Sequence, residues 1–190
     1  MIKFGVAGNS ASFYAEGHES TLEAAAWLKK RDLDVFEYSF GRGVTLNEST
    51  AKKIGAAFAA EGVGLTVHAP YFVNFANPDP EMIAKSVGYV LSSCKKAADF
   101  GSDRVVVHPA TQGKATREEA RAVMMKNISA LPEILSDNGY SGIKICFETM
   151  GKTAQMGTVD EIIDITALSP DFYPLHRLRS HQRKRAGYSK

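Results

Sequence analysis

Short runs of β-branched and aromatic residues alternate along this chain with longer amphipathic stretches, and the alternation repeats five times. The short runs predict strands at residues 2–7, 34–38, 63–68, 104–108 and 143–148. The longer stretches predict helices near residues 20–30, 47–61, 81–100, 116–138 and 159–168. Ser20 and Glu23 have the spacing of a capping box at the start of the first helix. Five consecutive strand–helix units require a parallel sheet covered by helices, which is an α/β fold.

Two parallel architectures fit this alternation, a doubly wound sheet and a (β/α)8 barrel. The first loop, GNSASFYAEGH, lacks the Gly-x-Gly-x-x-Gly spacing with which a doubly wound sheet binds a dinucleotide. We therefore predict a partial (β/α)8 TIM barrel in which about five β/α units are present. In such a barrel the active site forms at the carboxyl ends of the strands, so the last residue of each strand is where chemistry is expected.

The predicted strand ends carry ionisable side chains at equal intervals. The third, fourth and fifth strands end in His68, His108 and Glu148, which follow one another at intervals of 40 residues, and Glu37 lies near the end of the second. One such histidine alone is more often a hydrogen-bonded structural residue, but three polar groups at one rim are hard to satisfy without a cation. Two imidazoles and a carboxylate suit zinc, with manganese or iron as alternatives. We predict a metal site at His68, His108 and Glu148, with Glu37 as a secondary candidate.

The motifs around these residues resemble a known family. The strings VHAPYFVNFANPDPE, VVVHPA and CFETMG are similar to the third, fourth and fifth strand ends of endonuclease IV, the AP endonuclease family 2 of the xylose isomerase-like TIM barrel superfamily. The resemblance covers residues 1 to about 174. In that family the matching positions ligate a cluster of three zinc ions. This implies His68 and His108 as ligands, and Glu148 as a bridging ligand and catalytic residue.

The resemblance also implies an activity and a partner. The activity is zinc-dependent hydrolysis of the phosphodiester on the 5′ side of an abasic sugar in duplex DNA, a step of base excision repair. Clustered zinc ions lower the pKa of a bound water, neutralise the phosphate charge and stabilise the leaving oxygen. Tyr71 matches a residue of the family's DNA-contacting loop, and Asn9, Arg42 and Asn74 are the further candidate DNA contacts.

The formal charge of +2 hides an asymmetry between the body of the chain and its end. Residues 175–190 include six Lys or Arg and no acid, which leaves 17 basic and 21 acidic residues at positions 1–174. Because the body is acidic, any DNA affinity must depend on local loops and on the metals. Lys114 and Arg117 are expected to lie at a solvated helix start rather than in a DNA contact.

The basic segment interrupts the strand–helix pattern. SPDFYP, at residues 169–174, has the composition of a lead into a sixth strand, but the residues after it show neither alternation nor an apolar face. We expect residues 1–174 to be the N-terminal part of a truncated barrel, and residues 175–190 to be a disordered tail that a frameshift produced. The alternative is a genuine basic arm that recruits nucleic acid.

Two other functions stay open beside the nuclease. One is a sugar isomerase or epimerase of the same superfamily that uses a single manganese or magnesium ion, which Glu37 and the acidic body slightly favour. The other is a non-catalytic fragment that binds a metal or a partner. If its barrel is intact, we expect the protein to be a monomer.

Composition limits where such a chain is expected to work. No apolar stretch approaches the roughly 20 residues that span a bilayer, and the first residues are too short and too Gly-broken for a signal peptide. We therefore expect a cytoplasmic protein without a membrane partner. Cys94 and Cys146 lie far apart without metal-type pairing, which predicts buried thiols.

Overall fold

The main sheet consists of parallel strands whose order in space follows their order along the chain. The structure, a computed structural model, describes residues 3–176. Its strands are β1 (Gly5–Ala7), β2 (Val35–Ser39), β3 (Gly64–His68), β4 (Arg104–Val107), β5 (Ala110–Thr111), β6 (Lys144–Glu148), β7 (Gln155–Met156) and β8 (Phe172–Leu175). In the described part, six of these form the main sheet in the order β1-β2-β3-β4-β6-β8, and β5 pairs with β7 as a separate antiparallel ribbon.

Helices connect the consecutive strands of the main sheet. They are α1 (Ala11–Ala15), α2 (Thr21–Lys29), α3 (Glu48–Ala60), α4 (Pro80–Phe100), α5 (Arg117–Ser129), α6 (Leu131–Asp137) and α7 (Val159–Thr166). The predicted capping box of Ser20 and Glu23 is present at the start of α2. The five predicted strand–helix units are confirmed, and β8 adds a sixth strand beside β6. The fold is therefore a partial TIM barrel, as predicted.

Two helical segments differ from the prediction. The first loop contains α1, in which the Ser10 side chain accepts a hydrogen bond from the Phe13 amide and Phe13 is buried. The single helix predicted at 116–138 is two helices, α5 and α6, which meet at Ala130. Pro132 explains the break, because proline has no amide hydrogen to continue the helical ladder and its ring clashes with the preceding turn.

One face of the sheet packs against the helices and forms the core. Val67, Val105, Ile145 and Phe172 are neighbours across β3, β4, β6 and β8, and none is more than 4% exposed. On β2, the ring of Phe36 lies 5.3 Å from the ring of Phe58 on α3. Because side chains alternate along a strand, this buried row fixes which residues point to the other face.

The opposite face corresponds to the interior of a barrel. Ser39, His68, Val106, Cys146 and Tyr173 lie side by side on it in successive strands. His68 therefore reaches this face at the carboxyl end of β3. That is the edge at which TIM barrels assemble their active sites.

The last strand closes the described part of the chain. β8 includes Leu175, the first residue of the predicted tail, which is therefore ordered in the sheet, and residues 177–190 of that tail lie outside the described residues. Among the helices that can be described, none has both the length and the apolar character needed to cross a bilayer.

Candidate metal centre

Three strand ends bring the predicted ligands together. His68 is the last residue of β3, His108 directly follows β4, and Glu148 is the last residue of β6. One ligand atom from each lies within 4.8 Å of the other two. The Nε2 atoms of His68 and His108 each lie 3.2 Å from Oε2 of Glu148. A single carboxylate oxygen thus faces both imidazoles.

The ring of His68 is oriented by its own backbone neighbour. Its Nδ1–H donates a hydrogen bond to the carbonyl oxygen of Ala69 at 2.8 Å. This bond fixes the proton on Nδ1 and turns Nε2 toward Glu148. Metal-bound histidines are usually held in this way, with the second ring nitrogen donating to a carbonyl or carboxylate. The rings of His68 and His108 meet edge to face, with centroids 4.9 Å apart.

Electrostatics at this rim favour a positive charge. The side chain of Glu148 is only 8% exposed, and that of His68 is 12% exposed. Burial by itself lowers the pKa of His68. The hydrogen bonds to Glu148 and to the Ala69 carbonyl, together with the negative charge of Glu37, outweigh burial and raise this pKa. The carboxylates therefore create a place where either a proton or a metal cation is stabilised.

The chemistry of the three donors fits a divalent metal. Two imidazole nitrogens and one buried carboxylate oxygen form a donor set that zinc accepts, and related divalent ions also bind such mixtures. Three protein ligands are the usual complement of a catalytic zinc, whose fourth position takes water or substrate. His68, His108 and Glu148 are the residues that would hold the ion.

Glu37 lies deeper on the same face than the three converging residues. β2 continues two residues beyond it, so Ser39 is the neighbour of His68 across the two strands, while Glu37 is paired with Thr66. Within residues 3–176, the group of potential ligand atoms consists of His68, His108 and Glu148. Glu37 acts on this group through its charge, and its role as a secondary ligand stays a prediction.

Tyr71 and Asn74 lie in the loop between β3 and α4. The Tyr71 side chain is 52% exposed, and its ring centroid lies 4.4 Å from that of Phe72. Asn74 ties the loop to its surroundings, because its Oδ1 accepts hydrogen bonds from the amides of Ala76 and Thr111. DNA binding by either residue stays a prediction, and the geometry gives Asn74 a structural role as well.

Asn9 and Arg42 follow β1 and β2 at the same rim. The amide nitrogen of Asn9 donates to the hydroxyls of Tyr14 and Thr21 at 3.3 and 3.2 Å. Its Oδ1 is buried without a hydrogen-bond partner in the part of the chain that the structure describes. Arg42 is exposed beside Gly41, whose carbonyl accepts from the Tyr71 amide. The predicted contacts therefore lie in loops at one end of the sheet.

The residues after Glu148 and after β8 also meet at this rim, which the sequence pattern did not indicate. The Thr149 amide donates to the Leu175 carbonyl at 2.9 Å, and the Thr149 hydroxyl lies 3.1 Å from Nδ1 of His176. His176 directly follows β8, just as His108 follows β4. The position of His176 next to a strand end was the available signal. The basic composition of the residues around it did not indicate the end of β8.

The sequence of this chain is similar to those of known proteins. A family model described as "Xylose isomerase-like TIM barrel" matches residues 25–169. An uncharacterized protein of Methanocaldococcus jannaschii is 27% identical over 87% of this chain and 57% of its own length. A protein named probable endonuclease 4, from Acholeplasma laidlawii, is 32% identical over 52% of this chain and 33% of its own length. The chain thus spans little more than half of the first relative and a third of the second.

Solved structures share the fold at low sequence identity. D-psicose 3-epimerase from Clostridium cellulolyticum H10 superposes with a TM-score of 0.71 at 12% identity, over 92% of this chain and 63% of that protein. At this identity the two proteins share a fold.

Proposed function

This chain belongs to the xylose isomerase-like TIM barrel family, and on that premise we propose that it is a divalent-metal enzyme of the endonuclease IV type. The reaction proposed is hydrolysis of the phosphodiester on the 5′ side of an abasic sugar in duplex DNA, with zinc as the metal. The similarity to a probable endonuclease 4 over about half of the chain supports this choice.

The observation that carries the proposal is the shared position of one carboxylate oxygen. Oε2 of Glu148 lies 3.2 Å from Nε2 of both His68 and His108, at the carboxyl edge of the sheet. A buried carboxylate in contact with two imidazoles is a costly arrangement unless a cation compensates it. In this proposal His68, His108 and Glu148 would hold the metal.

The metal would supply an activated water, charge neutralisation at the phosphate and stabilisation of the leaving oxygen. The residues of this chain position the metal ligands and the DNA. Glu148 holds its carboxylate against both imidazoles, and the Ala69 carbonyl keeps the His68 proton on Nδ1. In the loops, the exposed ring of Tyr71 and the charge of Arg42 contact the DNA, and Asn9 and Asn74 line the same rim.

A second candidate is a sugar epimerase or isomerase with one manganese or magnesium ion. Glu37 favours it, because this carboxylate lies on the same face as His68 and is close enough to raise its pKa. The acidic body of the chain also suits a small neutral substrate better than a polyanion.

The test combines metal analysis with two activity assays on the 190-residue chain. The protein is incubated with duplex DNA that contains one abasic-site analogue, with Zn²⁺, with Mn²⁺ or with a chelator. Its bound metal is counted by mass spectrometry. Incision that the chelator and Glu148→Gln both abolish supports the nuclease.

Two other outcomes contradict the nuclease. Bound metal together with interconversion of ketohexoses, and without incision, selects the epimerase. A chain that binds no metal under any of these conditions contradicts both enzyme assignments.

A further inference from the structure

The chain that follows Glu148 folds back onto the backbone of that residue. The Met150 amide donates to the Gly157 carbonyl at 2.8 Å. A Cβ atom on Gly157 would lie 3.0 Å from the Glu148 carbonyl oxygen, and the φ angle of Gly157 is +125°. Only glycine adopts this conformation readily and approaches so closely. The position of Gly157 is therefore coupled directly to the backbone of Glu148.

A buried carboxylate holds Gly157 in place. Glu161, near the start of α7, is 5% exposed. Its Oε2 accepts hydrogen bonds from the amides of Gly157 and Thr158 at 2.7 and 2.9 Å. Bonds from backbone amides to a buried charged oxygen are strong and directional. Glu161 thus fixes the end of the loop that begins at Glu148.

Arg117, the first residue of α5, donates hydrogen bonds both to the Glu161 carboxylate and to the loop after Glu148. Its Nε and Nη2 donate to the two oxygens of Glu161 at 2.9 and 2.8 Å. Its Nη1 donates to the Thr153 carbonyl at 3.0 Å, and Nη2 also approaches the Gln155 carbonyl at 3.4 Å. Arg117 begins α5, as expected, and its side chain is 35% exposed, but its guanidinium also joins α5 to α7 and to the loop after Glu148.

The same loop is tied to the residues that follow His108. In the β5–β7 ribbon, Ala110 pairs with Met156 and Thr111 with Gln155. Ala110 lies two residues after His108. The β5–β7 ribbon therefore connects the segment after His108 with the loop after Glu148, and the Arg117–Glu161 ion pair holds that loop in place.

We propose that Arg117 and Glu161 are positioning residues for the metal centre. They hold the loop at residues 149–158 and so set the position of the Glu148 carboxylate relative to His68 and His108. Metal coordination tolerates small errors in ligand position poorly, so the support behind a ligand affects affinity as well as geometry. This inference depends on the proposed metal site.

A second ion pair between the same helices provides a matched control. Arg121 and Asp164 form it one helical turn farther along α5, and their side chains are 47% and 44% exposed. Among residues 3–176 the guanidinium of Arg121 has Asp164 as its hydrogen-bond partner, with no bond to the loop. Arg117→Met and Arg121→Met therefore remove the same charge from the same helix, but only the first releases the loop.

The experiment is a titration of the metal-free chain with Co²⁺, followed by its visible absorption, which reports affinity and coordination geometry together. Urea unfolding of each metal-free variant shows that it is folded. For Arg117→Met we expect Co²⁺ affinity to fall by roughly 10–100-fold, as for other residues that support metal ligands, and the absorption bands to change. For Arg121→Met we expect wild-type affinity and bands. Loss of a positive charge favours cation binding by itself, so weaker binding cannot come from charge alone.

The outcomes separate the two proposals. Wild-type affinity and spectrum in Arg117→Met, or an equal loss in Arg121→Met, overturns the positioning role and leaves the metal site intact. A wild-type chain that binds no Co²⁺ overturns the metal site and the positioning role together. If Arg117→Met does not fold, Glu161→Gln replaces it, and wild-type Co²⁺ binding by that variant overturns the inference.

Discussion

The Nε2 atom of His68 lies 3.2 Å from the Oε2 atom of Glu148, although 80 residues separate them in the sequence. His68 closes β3 and Glu148 closes β6, and β4 lies between these strands in the sheet. Since all three strands run parallel, their carboxyl ends share one rim, and His108, which follows β4, contacts both other side chains there. The parallel order of β3, β4 and β6 in the sheet therefore brings His68 and Glu148 into contact.

Removal of the Glu148 charge should abolish tight metal binding. Glu148→Gln keeps the size of the side chain but removes the anionic oxygen that both imidazoles face. We expect Zn²⁺ affinity, measured by competition with a chromophoric chelator, to fall by at least about 100-fold, more than changes behind a ligand usually cause. His18→Asn, at a histidine that stacks on Phe13 and is not part of the group of converging ligand atoms, is the control and should bind Zn²⁺ like wild type. Unchanged affinity in Glu148→Gln would exclude this residue as a ligand.

Substitution by alanine at two glycines in neighbouring helices should change the free energy of unfolding in opposite directions. A Cβ on Gly55, in α3, would collide with the carbonyl oxygen of Phe100 at the end of α4. Gly88, within α4, has open space at the same position. We expect Gly55→Ala to lower the free energy of unfolding by about 1–3 kcal/mol through overpacking. Gly88→Ala should raise it by about 0.5–1 kcal/mol, because alanine favours the helix. Urea unfolding measures both, and equal effects would contradict the close approach of α3 and α4.

The thiols should be inert in the folded chain. Burial raises the pKa of Cys94 to about 12 and that of Cys146 to about 11, and both cysteines are buried and free, as predicted. The thiolate is the reactive form, so at about pH 8 a disulfide reagent should modify neither cysteine without denaturant and both after unfolding. Rapid labelling of native protein at one thiol would show that the corresponding region opens.

Acid should remove the stabilising contribution of Glu161. Burial alone raises the pKa of this carboxyl, but the bonds from the Gly157 amide, from Arg117 and from the Thr158 amide outweigh burial and hold the pKa below its ordinary value of 4.5. A carboxyl whose pKa is lower in the folded than in the unfolded chain stabilises the fold at any pH above its unfolded-state pKa. This stabilisation is lost as the pH falls through the folded-state pKa. The difference in unfolding free energy between wild type and Glu161→Gln should thus be largest near neutral pH and shrink as the pH falls below 4.5. A difference that stays constant with pH would indicate that the charge of Glu161 contributes nothing.

The convergence of His68, His108 and Glu148 could be predicted because it requires only strand type and strand ends. Each residue closes or directly follows a short apolar run, and parallel strands bring such positions to one edge. Hydrophobic periodicity was sufficient for this purpose. Separately, the wide spacing of Cys94 and Cys146 predicted buried thiols, and both are buried.

Other features depend on contacts that periodicity does not report. The break between α5 and α6 comes from Pro132, although the apolar pattern continues across it. The ribbon has two residues in each strand, too few for any alternation to be visible. The pairing of Arg117 with Glu161 joins residues 44 positions apart, and from the sequence Arg117 is indistinguishable from an ordinary exposed charge at a helix start.

The order of strands in the main sheet bears on how the protein is made. Each strand of the main sheet lies beside the strand of that sheet that precedes it in the chain, so β2 can pair with β1, and β3 with β2, once each has been synthesised. Pairing between strands that are successive in the chain closes shorter loops than pairing between distant strands would, so its entropic cost is smaller. A nascent chain on the ribosome can therefore extend its sheet one strand at a time, and the rim that gathers His68, His108 and Glu148 is completed when β6 emerges.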